Sequence, residues 1–393
     1  MRAPVIIPPL FLALIGIFAC FIYTTQWPQW ALRFEVMQQN DFVHGLGGGD
    51  YRLFWAQGNL AAQGKPLGGY DADVIISTAM TQHLKGVIDV RPSFYPPHFI
   101  MFMEPLGHLD YPHAWHFYNW GSVLLLAFIT LFAFRREYYA LPLLGGFSGL
   151  WCALSFGQNS IVLTALYLAL AAWGARHERI GGLLLAIASF KPHLGVLAPL
   201  MLLWRQQYRT FVWAVLGVAA LVAATVALYG EAIWIRYWEV LQEPMNRLVD
   251  FRHVQGQHMI SLYSSLRAHE LPPVYALAAQ AALALVAVQM LWRICRRALD
   301  PMLPVAGLVT ATLIAIPHAY SYDMILLFIP IMVIVRRAQS HGWQWADAEA
   351  LLPVYILPYY VGAINNAVQL PLVPLALLFL LYRLKQHSRM DHA

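Results

Sequence analysis

Apolar residues fall along this chain in runs of about 18–20, the length that crosses a bilayer as a helix, and short polar joints separate them. The first run covers about 4–24. A polar stretch follows from 26 to about 98. The apolar piece 99–109 is too short to span and reads as interfacial or re-entrant. Further runs cover about 113–134, 138–154, 158–175, 180–204, 210–229, 273–294, 302–317, 324–335, 350–363 and 369–384. Backbone groups in lipid pair within their own segment, so these runs predict helices. No train of short alternating segments suggests a barrel. Within the first polar stretch, Tyr51 to Gln63 and Ala72 to Lys85 read as amphipathic pieces lying along an interface.

Charge orients the runs. Basic residues gather in short joints: Arg135-Arg136, Arg176 to Arg179, Arg205 to Arg209, Arg293 to Arg297, Arg336-Arg337 and Arg383 to Arg389. That is the positive-inside pattern and marks one face as cytoplasmic. The loops 26–98 and 230–271 then lie outside, and both termini lie inside. The run 180–204 has basic joints at both ends, which one straight helix would place on opposite faces. Lys191-Pro192-His193 interrupts it midway, so two half-helices in a hairpin are predicted, each ~17 Å long at 1.5 Å per residue. Counting that hairpin as two passes gives about 10–12 segments. The expectation is an all-α polytopic membrane protein forming a single domain over 1–393, with a long first outer loop.

Composition agrees: 60% of residues are hydrophobic and 11% charged, against roughly 25% charged in soluble domains. The net charge of +5 is spent on the joints, with no basic stripe of interleaved aromatics, so nucleic acid is excluded as a partner. Cys20, Cys152 and Cys295 sit in or beside apolar runs and read as small packing residues. The N-terminal run is longer than a signal-peptide core and lacks a small-residue cleavage site, so it reads as an uncleaved helix.

Polar chemistry concentrates in the outer segments. Asp50 follows Gly47-Gly48-Gly49, where the backbone turns sharply and approaches neighbours closely. It fits a general base or the N-cap of a helix starting at Tyr51. No Lys-Ser/Thr follows, so the glycines are not a phosphate loop. Gln158 and Asn159 occupy a joint on the same side. Lys191, costly in an apolar run unless paired, fits with His193 as a holder of an anionic head group or as a structural ion pair. Arg52, Arg267 and His318 are further phosphate-binding candidates or interfacial anchors. Asp323 is a second acid or the partner of His318 or an arginine. Tyr95, Trp234, Tyr237 and Trp238 suit sugar stacking or an interfacial aromatic belt. Histidines are scattered, without metal-ligand spacing, so no metal site is expected.

Five blocks, in order, carry a family resemblance: GGGDYRLFWAQGNLAAQGKPLGGYD, FYPPHFIMFMEPLGHLDYPHAW, SFGQNSIVLTALYLALAAWGARHERIGGLLLAIASFKPHLGVL, HMISLYSSLRAHELP and IPHAYSYDMILL. Together the chain resembles glycosyltransferase family 87, membrane proteins of the GT-C class related to polyprenol-phosphate-mannose-dependent mannosyltransferases. The resemblance implies a hexosyltransferase at the outer face of the cytoplasmic membrane. Its donor would be a polyprenyl-phosphate sugar, mannose favoured, and its acceptor an envelope glycan or glycolipid. No cofactor is implied, and membrane lipid surrounds the enzyme. In the class an Asp of the first outer loop is the usual base, a position Asp50 matches, with Asp41 and Asp71 nearby. Many GT-C enzymes carry an adjacent acidic pair there; here Tyr51 follows Asp50. A transporter or flippase for a lipid-linked or sugar substrate is the rival reading, since Lys191 in a broken hairpin also suits a substrate pathway.

Overall fold

The computed structural model describes residues 49–81, 94–135, 137–247, 256–368 and 370–391, together with Gly16, Ile17, Phe18, Phe21, Thr24 and Thr25. Most of the first span expected at 4–24 lies outside these residues, as do Cys20 and Asp41. The described chain is helical, with one isolated bridge between Met259 and Tyr320.

Prolines and glycines punctuate it as their backbones require. Pro97, Pro112 and Pro273 stand in the first turns of α3 (Pro97–Gly107), α4 (Tyr111–Ala133) and α13 (Pro273–Arg297), where the missing N–H costs nothing. Gly230 and Gly342 adopt positive φ just past α10 (Tyr208–Tyr229) and α15 (Phe328–His341). Between them run α1 (Tyr51–Ala62), α2 (Ala72–Thr81), α5 (Ala140–Gly146), α6 (Ser148–Ser155), α7 (Ser160–Ala169), α8 (Glu178–Ala188), α9 (Ala198–Trp204), α11 (Ala232–Arg247), α12 (Leu262–Ala268) and α14 (Met302–Ala315). Two helices close the chain, α16 (Trp345–Ala367) and α17 (Leu372–Met390). Three of these, α4, α10 and α13, are long and apolar enough to cross a membrane alone, and shorter apolar helices accompany them. Together they form an all-α polytopic membrane architecture.

The hairpin predicted at 180–204 is present. Glu178 and Arg209 meet at 3.6 Å, so the joints before α8 and after α9 lie at the same end. Helices α8 and α10 run side by side in the same direction. Gly182 faces Trp213, and Gly217 faces Ala186 further along. The chain therefore rises through α8, breaks at Ser189 to Leu197, and descends through α9. Two other runs are also split. The run 138–154 divides at Phe147 into α5 and α6, pinned where Ser148 Oγ donates to the Tyr355 carbonyl at 2.6 Å. The run 158–175 ends in a π turn, Leu170–Gly174.

The first outer segment departs from expectation. Helix α1 does not lie along an interface: Tyr51, Phe54, Trp55, Ala56, Gln57, Gly58, Leu60 and Ala61 are buried. It packs on α3 with the backbone of Gly58 against Met103 and that of Gly107 against Gly58, contacts no Cβ would permit. Its polar residues face inward to backbone carbonyls. Gln57 Nε2 donates to Gly69 O, and Asn59 Nδ2 to Gly107 O, both at 2.8 Å. These bonds satisfy the amide donors, although Gln57 Oε1 is buried without a hydrogen-bond partner among the described residues, and they let a helix read as amphipathic sit inside. Helix α11 docks beside this unit. Tyr237 is buried against Tyr70, and Trp234 packs near His98, whereas Trp238 is exposed. Of the expected belt aromatics in loop two, only Trp238 faces outward.

Candidate active site

Gly49 has φ +53, and a Cβ there would stand 2.5 Å from the Phe156 carbonyl oxygen. The close approach lets the Asp50 N–H donate to that carbonyl at 2.8 Å, so the glycine turn fastens Asp50 to the joint between α6 and α7. Asp50 occupies the N-cap position of α1, but its side chain makes no cap hydrogen bond. The carboxylate is instead taken up by the Gln158 side-chain amide, which donates Nε2 to Asp50 Oδ2. The cap reading of Asp50 thus holds for the backbone and not for the carboxylate.

Gln158 leads inward. Its Oε1 faces Lys191 Nζ at 3.4 Å. Lys191, at the hairpin break, donates to Asp323 Oδ1 at 2.6 Å and to Ser160 Oγ at 2.9 Å, and its ammonium lies 5.1 Å from the Tyr322 ring centroid. Ser160 Oγ in turn donates to Asp323 Oδ1 at 2.5 Å. Lys191 and Asp323 are 3% and 0% exposed, which identifies the pair as fully desolvated. This answers how Lys191 is tolerated in an apolar run: Asp323 is its partner, rather than that of His318 or an arginine. Asp323 Oδ2 is buried without a hydrogen-bond partner among the described residues.

Asp50 sits at the rim of this network, partly accessible yet enclosed by protein. Burial pushes its carboxyl up to about 6 and Asp323 adds to the rise, while Lys191, the Gln158 hydrogen bond and Arg52 hold it down. Arg52 Nε donates to Gly49 O at 3.2 Å, which keeps the guanidinium beside the turn. The Tyr95 hydroxyl lies among Asp50, Asp323 and Asn159, its ring stacked on Phe99 at 4.4 Å. Asn159 is buried beside Gln158 at the start of α7.

The other candidates divide. Lys191, Asp323 and His318 are the titratable neighbours of His193, which is accessible at the hairpin tip. His318 packs edge-on to Tyr263 at 6.4 Å, and burial holds it below the usual imidazole range, so near neutral pH it is uncharged. The second outer loop reaches the site through Ile260, whose N–H donates to Ala319 O at 2.9 Å, and through His258, whose ring meets Phe156 at 5.0 Å. Arg267 Nη1 donates to Leu271 O at 2.8 Å, closing its own turn. Asp71 accepts from the N–H groups of Asp73 and Val74 and caps α2. Ser160 and Tyr322 are site members that the sequence did not single out. Both lie inside quoted blocks, SFGQNS and IPHAYSYD, so block membership was the available signal.

The arrangement offers a half-open carboxylate of raised basicity beside cationic and neutral donors, which is what proton abstraction next to a departing anion requires. A family model for glycosyltransferase family 87 matches residues 94–317, more than half of the 393 residues. The matched stretch contains Gln158, Asn159, Ser160, Lys191, His193 and Arg267; His318 and Asp323 fall just past its end, and Asp50 and Arg52 lie well before its start. Comparison with curated proteins and with solved structures gave no match. The match decides between the two readings of Lys191 in its broken hairpin, transferase over transporter: the chain belongs to glycosyltransferase family 87 and is a membrane glycosyltransferase.

Proposed function

We propose that the protein transfers a hexose, mannose by preference, from a polyprenyl-phosphate donor to a hydroxyl of an envelope glycan or glycolipid. The reaction takes place at the outer face of the cytoplasmic membrane, with Asp50 as general base. The observation that carries this reading is the Asp50 carboxylate itself. It is spared from capping, half-open, raised to about 6 by burial, and set beside Arg52 and Lys191. In the proposed step the Asp50 carboxylate takes the proton of the acceptor hydroxyl. The hydroxyl oxygen forms a bond to the anomeric carbon. The bond from that carbon to the phosphate oxygen breaks, and its electron pair leaves with polyprenyl phosphate. Arg52 stabilises the charge that develops there, with His193 and His318 as neutral donors lining the approach, while the Lys191 donors stay engaged with Asp323, Ser160 and Gln158. No metal or cofactor enters the step.

The test is donor cleavage by purified Asp50→Asn protein in detergent, with radiolabelled polyprenyl-phosphate mannose and extracted envelope lipids as acceptor. General-base loss lowers turnover by roughly 10²–10⁴-fold. A variant with normal turnover sinks the assignment. The sign of the pH dependence follows from the same carboxyl. The base works deprotonated, so kcat/KM falls as pH drops through about 6 and levels off above it.

A further inference from the structure

We propose that the buried Lys191–Asp323 pair, acting through the Gln158 side-chain amide, is the positioning device that sets the orientation and basicity of Asp50. The inference rests on Asp50 being the base.

Gln158 is 1% exposed and stands between a carboxylate and an ammonium. An amide has one donor end and one acceptor end. Only one of its two orientations gives Nε2 to Asp50 and Oε1 to Lys191, and that is the one observed. Flipped, it would present an oxygen to the carboxylate and N–H groups to the ammonium, two repulsive contacts. Lys191 therefore fixes the amide, and the amide fixes the carboxylate. Lys191 in its turn is fixed. Its donors are directed at Asp323, Ser160 and Gln158, and the Tyr322 ring flanks it. Ser160 closes the triangle by donating to the same Asp323 oxygen. The elements involved are far apart in sequence: the glycine turn at 49–50, the joint at 157–160, the hairpin tip at 191 and the turn at 321–323.

The pair is also oriented. Its ammonium end faces Asp50 across the amide, and Asp323 lies behind it. Lys191 steadies the ionised form of Asp50, and Asp323 moderates that effect by neutralising most of the ammonium at longer range. The remaining groups that face Asp50 are Arg52 on its own helix, Tyr95 from the segment before α3 and Tyr322 from the turn after α14. His193 and His318 face the pair. None of these lies between the pair and Asp50 as Gln158 does.

Opposite shifts of one observable follow. Take the acid limb of the kcat/KM profile for polyprenyl-phosphate mannose cleavage, measured with the full-length protein in detergent. Lys191→Met removes the facing charge and unlocks the amide, and the limb moves up by about one pH unit. Asp323→Asn leaves the ammonium less neutralised, and the limb moves down by about one pH unit. Asp323→Glu restores part of the wild-type position. Size-exclusion profiles report whether each variant folds. Because removing one partner of a buried pair is strongly destabilising, Gln158→Met provides a second route. It leaves the pair intact, removes both ends of the link, and moves the limb up with a lower plateau. A merely structural role would lower active-protein yield without moving the limb. The proposal is overturned if the limb stays at the wild-type position in all folded variants, or if Lys191→Met and Asp323→Asn move it the same way. Asp50→Asn separates the two failures. Retained activity there defeats the base assignment itself, whereas an inactive Asp50→Asn beside unmoved limbs defeats only the positioning role.

Discussion

Two buried charge clusters hold this protein together, one at each end of its helices, and they differ in how they are closed. At the basic end, Asp347 in the first turn of α16 receives Arg383 at 2.5 Å and His387 at 2.8 Å from α17, while its second oxygen takes the Gln344 N–H at 2.9 Å. Arg337 joins Asp391 at 2.5 Å and the His387 carbonyl at 2.9 Å. Both carboxylate oxygens of Asp347 are used, and the residue is 0% exposed. At the opposite end, Lys191 and Asp323 are buried as deeply, but their network continues to Asp50, which is partly accessible and retains capacity for a further hydrogen bond. Burial of an ion pair therefore does not separate structure from chemistry. The open rim does, because a group whose partners are all internal has nothing to offer a substrate.

The sharpest way to break this contrast is to neutralise one acid at each end. Asp50→Asn is expected to lose turnover and gain stability. Its carboxyl rises from an ordinary 3.8 to about 6 on folding. The unfolded state then binds fewer protons than the folded one between those values, and stability falls as pH rises through them. Asparagine removes that cost, at most about 3 kcal/mol at neutral pH. Asp347→Asn is expected to do the reverse. It strands Arg383 in the interior at a cost of roughly 3–5 kcal/mol, while turnover per folded molecule at low temperature stays near wild type. Thermal unfolding in detergent beside donor cleavage reads both. Loss of stability in Asp50→Asn, or loss of specific activity in Asp347→Asn, would erase the distinction.

A smaller effect is expected from Gly49→Ala. Alanine at φ +53 costs about 1–2 kcal/mol, and its methyl would press on the Phe156 carbonyl that anchors Asp50. The base then shifts relative to the reacting carbon, and misplacement of about 1 Å lowers rates by up to roughly 10²-fold. The expected signature is a reduced kcat with an acid limb still near pH 6, since the charges around Asp50 are unchanged. A moved limb would place the glycine among the groups that tune the carboxyl.

What the sequence made legible follows the same division. Run lengths and joint charges predicted the helices and even the hairpin, because both are written locally, in each run and its flanking loops. Asp50 stood out because its glycines are adjacent to it. The link from Lys191 to Asp323 spans 132 residues, and several polar groups in the outer segments were equally eligible partners. The Asp347–Arg383–His387 cluster was hidden for a related reason. Its basic members were fully accounted for as topological charge, so nothing called for an acid partner. Helix α1 was misread because Gln57 and Asn59 look water-facing until Gly69 and Gly107 bring carbonyls to them. In each case the missing information was a tertiary partner, which periodicity does not encode.

The smallest effect tests whether proximity of charge matters at all outside the buried clusters. Glu178 and Arg209 meet at 3.6 Å at the foot of the hairpin, with side chains 42% and 84% exposed. This contact marks the two joints as neighbours, yet solvent screens it, and exposed pairs contribute roughly 0–1 kcal/mol. Arg209→Ala is therefore expected to leave thermal unfolding and donor cleavage nearly unchanged. Gly182→Val on α8 should differ, because its side chain would meet the Thr210 and Trp213 segment of α10 through backbone that has no room to give. If Arg209→Ala instead destabilised the protein as much as Gly182→Val, the hairpin would be held by its charged foot. Close glycine packing would then no longer account for how α8 presents Lys191 to Asp50.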